Sequence, residues 1–215
     1  MKMECSTFTT EVNTMNLYLA MQRAMLLSIL GLALSCLPTV AAAQADNAAG
    51  IDLPQQYSAT AVGQAGAAAG KTFGVTIYLT GLTSDQEEQE FAATLKSKGQ
   101  DGLVSALEKA KDVGRVAPVG GVGSGFRIAR AQKTADGGWH ITLATNRPIS
   151  FGELYNSTRS REYPIGIVTL NVDKDGNGSG LLCGLCKLKF NKKGELEIEH
   201  YGQKPFRLTN VRRQK

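Results

Sequence analysis

Cys183-Gly184-Leu185-Cys186 is the segment of this chain whose residue types are best suited to chemistry. Two cysteines at that spacing can form a thiol/disulfide redox pair or half of a metal knuckle. Redox pairs of the thioredoxin type sit at a helix start, whereas the residues around this motif read as a strand. Extended residues three apart have Cα atoms about 10 Å apart, beyond the roughly 7 Å that a disulfide spans. A bridge between Cys183 and Cys186 therefore requires a bulge at Gly184. Three states stay open at this level: buried free thiols, a local disulfide, and metal or redox chemistry. His200 is the natural third ligand, and His140 is a poor fourth because Ile141 and Leu143 claim the inward face of its strand.

A second cluster, Asp173-Lys-Asp175-Gly-Asn177-Gly178, matches the first six positions of a calcium loop. The twelfth position is Gly184, where a bidentate glutamate should stand, and strands flank the segment in place of helices. Asp and Asn are also what a β-turn uses to bond its own backbone, so a hairpin turn is expected and Ca²⁺ is only a weak alternative. No other cofactor is expected. Ala65-Gly-Ala-Ala-Ala-Gly70-Lys71-Thr72 matches a permissive phosphate-loop pattern, but Lys71 opens a strand, not a helix, and nucleotide binding is rejected. Gly121-Val-Gly123-Ser-Gly125 fails as a dinucleotide fingerprint for the same reason. Two histidines after residue 45 and no Gly-x-Ser-x-Gly elbow leave no catalytic constellation. An aromatic share of 7% gives little support for base or sugar stacking, so nucleic acid is disfavoured.

Charge is segregated along the chain. Residues 187–215 hold nine basic and three acidic side chains, and the preceding residues 46–186 are nearly balanced. Lys187 and Lys189 are expected to pair with Glu199 and Glu197. That leaves Lys192, Lys193, Lys204, Arg207, Arg212 and Arg213 as a patch for an anionic envelope component or protein partner, with a solubilising surface as the plainer reading.

The elements that must hold these residues read as follows. Thr72–Leu79 is β-branched and aromatic, a strand. Ser84 with Glu87 forms a capping box, and a short helix runs to Gly99. A second helix follows from Asp101, with Leu103 and Leu107 on its buried stripe. From Arg115 the period is two, and strands are expected at 115–119, 126–132, 139–145, 165–172, 181–190, 195–201 and 206–211. Taking Lys192-Lys193-Gly194 as a three-residue loop sets Phe190 against Leu196, Lys189 against Glu197, Leu188 against Ile198, Lys187 against Glu199 and Cys186 against His200 on a buried face. The expected fold is α+β: a strand and two short helices, then a mainly antiparallel meander, as an open sheet or a partly closed barrel.

Residues 1–45 read as a leader. An uncharged stretch of 22 residues from Ala24 to Ala45 follows Arg23 and ends in Ala43-Gln44-Ala45, where signal peptidase needs small residues. Met21 gives a compact alternative start. Cleavage near Ala45 predicts a periplasmic or extracellular bacterial protein, followed by a flexible Ala/Gly-rich tether over 46–70 and one domain over 71–215. The sequence thus points to an exported, non-catalytic binding or envelope-associated module. A thiol/disulfide protein using Cys183 and Cys186 is the rival.

Overall fold

The computed structural model describes residues 50–149, 162–190, 196–201 and 204–214. The expected leader, the residues 150–161 and the expected loop at Lys192 and Lys193 lie outside the described residues. Among those described, ten strands form one antiparallel sheet: β1 Gln55–Val62, β2 Thr72–Leu79, β3 Gly114–Pro118, β4 Ser124–Phe126, β5 Ile128–Lys133, β6 Trp139–Ala144, β7 Ile165–Val172, β8 Asn177–Phe190, β9 Leu196–His200 and β10 Phe206–Gln214. Their order is β4-β3-β2-β1-β10-β8-β7-β6-β5, with β9 hydrogen-bonded to the end of β8.

The two ends of that order are consecutive in the chain, since Arg127 alone separates β4 from β5. The sheet therefore curls into a nearly closed barrel. Its seam is stitched by the segment before the helix: Thr83 donates its amide to Ala129 O and accepts the Ala129 amide on Oγ1, both at 2.9 Å. Inside, Tyr57, Ile77, Leu79, Phe126, Ile141, Leu143, Leu170, Leu182 and Leu208 are fully buried. Each such side chain contributes about 1.5–3 kcal/mol of transfer free energy. The interior is a packed core.

The tether expected over 46–70 is corrected from Gln55 onward. β1 pairs along its whole length with β2 and, through a bulge, with the C-terminal β10, so it joins the two ends of the domain. Its inward residues are Gln55, Tyr57, Ala59 and Ala61: the two alanines are small, and the Tyr57 hydroxyl donates to Gln55 Oε1. A strand of Ala and Gln fits a narrow barrel but lacks the bulky apolar alternation that signals one. The phosphate-loop lookalike is the β1–β2 turn, where Gly66–Ala68 makes one 3₁₀ turn.

The two short helices are one helical run, α1 Asp85–Lys109, broken at Gly99, whose φ of 68° is a left-handed conformation that glycine adopts without strain. Ser84 caps it in a reciprocal capping box with Glu87. The first turn is tied to the barrel by Arg130, a largely buried β5 residue whose guanidinium meets Asp85 at 2.7 Å and Glu88 at 2.8 Å. At the break, Gln100 accepts the Leu188 amide at 2.7 Å and donates to Glu162 O at 3.2 Å. The helix thus lies over the outer face of β5–β8 and the β8–β9 hairpin, and a second apolar layer forms there from Leu95, Leu103, Leu107, Ile165, Ile167 and Cys186. The outer face of β3-β2-β1-β10 contributes nothing to that layer.

Candidate functional site

β8 is long because it serves two partners. Its first half completes the barrel wall, and its second half leaves the wall to pair with β9 in the expected register, from Cys186 with His200 to Phe190 with Leu196. Where the strand changes role it bulges: Ile167 opposes Cys183 and Ile165 opposes Cys186, so two steps on β7 match three on β8. The bulge at Gly184 shortens the Cys183–Cys186 Cα distance to 6.4 Å, and the two cysteines form a disulfide. Of the three states left open by the sequence, the local disulfide is the one present.

Backbone bonds hold the bulge. Gly184 O accepts the Ile149 amide at 3.0 Å, and Leu185 O accepts the Tyr201 amide at 3.2 Å. A side chain at position 184 would bring its Cβ to 2.7 Å from Ile149 O, so glycine is required by the close approach of that backbone. Cys186 is fully buried and Cys183 nearly so. His200 departs from the expected core position. It is an exposed residue, yet its Nδ1 is turned to the sulfurs, 3.0 Å from Cys183 Sγ and 3.7 Å from Cys186 Sγ. Burial of that side of the ring lowers the imidazole pKa, so the neutral ring predominates at neutral pH. A neutral imidazole beside a disulfide can take or return the proton of a thiol formed on reduction.

The hairpin beyond the disulfide carries the expected charge pairs in a shifted form. Lys189 reaches Glu199 at 3.0 Å and Glu197 at 3.7 Å, making it the shared cation of both. The Tyr163 hydroxyl also donates to Glu199, and with Lys189 it holds that carboxyl below the usual glutamate range.

The calcium-loop lookalike is the β7–β8 turn. Asp173 Oδ1 accepts the amides of Asp175 and Asn177, each at 2.9 Å, and the Asp173 amide donates to Asn177 O at 2.8 Å. That carboxylate is engaged by its own loop, as a hairpin turn requires. His140 pairs with Asn171 across the outer face of β6 and β7, away from the cysteines.

The basic residues are dispersed. Lys204, Arg207, Arg212 and Arg213 are all exposed, but only Arg207 and Arg212 point outward from the wall, at opposite ends of β10. Sequence reasoning missed what surrounds them. β1, β2, β3 and β10 contain no Asp or Glu, and their outward residues are Ser58, Thr60, Thr72, Thr76 and their neighbours, with Arg115 stacked 4.5 Å from the centre of the Tyr78 ring. The acidic content of the candidate strands, counted together, would have exposed this. Among the described residues, one open depression of about 450 Å³ lies at the barrel seam between Thr80, Glu87, Asp112 and Arg127, and another lies along α1 between Glu90, Phe91 and Lys98. Comparison with family models, with curated proteins and with solved structures found no match for this chain.

Proposed function

We propose that this chain is an exported bacterial module that binds an anionic envelope surface across the side of its barrel that α1 leaves uncovered. The observation that carries the proposal is the four-strand wall β3-β2-β1-β10, which lacks any carboxylate and presents Arg115, Arg207 and Arg212 among Ser, Thr and Gln side chains. A wall of one sign concentrates anionic partners and rejects cationic ones. The filled interior supports a surface role, since a small-molecule site is ordinarily a concave pocket. The apolar stretch ending at Ala45 supports export.

Cosedimentation with phosphatidylglycerol-containing vesicles tests the binding. The wild type should bind them and ignore neutral vesicles, with affinity falling as salt rises, and Arg207→Glu with Arg212→Glu should weaken binding about tenfold or more. Equal binding by both proteins would overturn the proposal. Export is tested by N-terminal sequencing, which should find a product beginning near Gln44 or Asp46. A product retaining Met21 would overturn that half.

A second reading, a thiol/disulfide protein, is favoured by the 3.0 Å contact between His200 Nδ1 and Cys183 Sγ. Thiol titration with and without reductant, followed by measurement of the reduction potential, tests it. A potential below that of ordinary dithiols would mark the bridge as structural.

A further inference from the structure

We propose that, once the Cys183–Cys186 bridge is opened, the two sulfurs and His200 Nδ1 form a three-ligand site for a thiolate-preferring d¹⁰ cation, so that disulfide and metal exclude each other at one place. The inference needs only that the bridge can be reduced, not that the protein catalyses thiol exchange. Sulfur and imidazole donors are the set that selects Cu(I) and Zn(II) over oxygen-seeking cations.

The geometry is already that of a chelate. The three donor atoms lie within 4.8 Å of one another, with the Cys183–His200 and Cys186–His200 contacts at 3.0 and 3.7 Å. Two metal–thiolate bonds of about 2.3 Å would set the sulfurs about 4 Å apart. The cysteine Cα atoms are 6.4 Å apart, so side-chain rotation accommodates that opening without moving the strand.

What fixes the donors is independent of the S–S bond. The bulge is held by the Ile149 and Tyr201 amides, Gly184 is wedged against Ile149 O, and the β8–β9 register fixes Cys186 opposite His200. Cleaving the bridge therefore releases two thiols that remain beside the imidazole. The exposed position of His200 gives an entering ion a path, while the buried sulfurs sit in the apolar layer under α1.

The chemistry balances in two steps. A dithiol reductant delivers two electrons and two protons to the bridge, giving two cysteine thiols, and is itself oxidised to a disulfide. The cation then binds both sulfurs as thiolates and His200 through the Nδ1 lone pair, releasing two protons to solvent and leaving the ring proton on Nε2. A disulfide oxidant that accepts the two electrons of the thiolates, and is itself reduced to a dithiol, re-forms the Cys183–Cys186 bond and expels the metal.

The test loads the full mature protein, reduced with a dithiol and freed of excess reductant, with Zn(II) in one arm and with Cu(I) under anaerobic conditions in the other, each against a chromophoric chelator. The expected result is one equivalent bound in at least one arm, at least a hundredfold tighter than by the oxidised protein, with His200→Ala and His200→Gln each weakening binding tenfold or more. The arm that binds identifies the ion. Circular dichroism and the thermal midpoint of reduced protein, and of Cys183→Ser with Cys186→Ser, monitor the fold. If reduction unfolds the hairpin, metal should restore the midpoint in the wild type and not in the double serine variant. Reduced protein that binds neither ion more tightly than the serine variant, or binding that the His200 substitutions leave unchanged, would overturn the proposal.

Discussion

The barrel interior and the layer beneath α1 are two apolar cores built on different terms. The interior is walled by paired strands on nearly all sides, and its large side chains, from Tyr57 to Leu208, are fully enclosed. The outer layer encloses Leu103, Leu107 and Cys186, but Phe91, Val104, Leu188, Phe190, Leu196 and Ile198 are only partly covered. The disulfide, His200, Glu87, Glu88 and Glu199 belong to this outer layer or its rim, whereas among the described residues the barrel interior encloses one titratable side chain with a shifted pKa, Tyr57, whose hydroxyl burial holds protonated. The barrel supplies cohesion, and the layer on its flank holds the groups whose state can change.

The sharpest way to break that comparison is to damage both cores by truncation. Phe126→Ala, at the seam, should cost about 3–5 kcal/mol and lower the stability of the whole domain as one unit. Leu107→Ala should cost about 2–4 kcal/mol in its own layer, and hydrogen exchange should show α1 and the β8–β9 hairpin opening while the amides of β1, β2 and β10 stay protected. If both variants deprotect every strand equally, the two cores are one cooperative unit and the distinction fails.

A smaller effect sharpens the contrast at one point of attachment. Ser84→Ala removes the hydroxyl that accepts the Glu87 amide at 3.3 Å, together with its bond to the Glu87 carboxylate. The loss of such a cap costs about 1 kcal/mol. It should appear in denaturant unfolding as a lower midpoint and in exchange as fraying confined to the first turn of α1. Arg130 continues to anchor Asp85 and Glu88 in that variant, so a change extending into β5 would mean that the cap, not the guanidinium, holds the helix to the wall.

The same contrast explains what could be read from the chain. The β8–β9 register was legible because turn residues, apolar alternation and Lys/Glu pairing agree over Lys187–Glu199, and all are local. The need for a bulge at Gly184 followed from strand geometry alone. β1 was hidden because a narrow barrel takes Ala59 and Ala61 where a sandwich would take Val or Ile, and its partner β10 lies about 150 residues away in sequence, beyond any local pattern (for example Ser58 with Arg212). Arg130 and Gln100 were likewise unreadable, since their partners Asp85 and Leu188 are 45 and 88 residues distant. His200 was placed by parity on the correct face of its strand. That the strand protrudes past the wall, leaving the ring's other side in solvent, depends on the tertiary path of β8.

Acid should separate the regions with the gentlest perturbation. The nine strands of the barrel path contain no Asp or Glu, whereas the outer layer depends on carboxylates. The Ser84 amide, helped by its hydroxyl, holds Glu87 below its ordinary value of 4.5, and Tyr163 with Lys189 does the same for Glu199. A carboxyl whose folded pKa is depressed binds protons more readily in the unfolded chain. Its contribution is therefore complete above about pH 4.5 and is lost as pH falls through the lower folded value. Glu88 runs the other way, because burial raises its pKa against the pull of Arg130, so its protonation comes first and relieves a buried charge. On acidification from neutrality, amide spectra should first report a local change around Glu88. Below pH 4.5 the start of α1 and the β8–β9 hairpin should lose protection while β1, β2 and β10 hold. Asp136, held low by Thr134, should disturb only the β5–β6 turn. Ser84→Ala should flatten the response at the helix start and leave the hairpin response intact, because Glu199 owes its shift to Tyr163 and Lys189. Loss of the barrel amides at the same pH as the hairpin would show that the carboxylate-free wall leans on the outer layer for its stability.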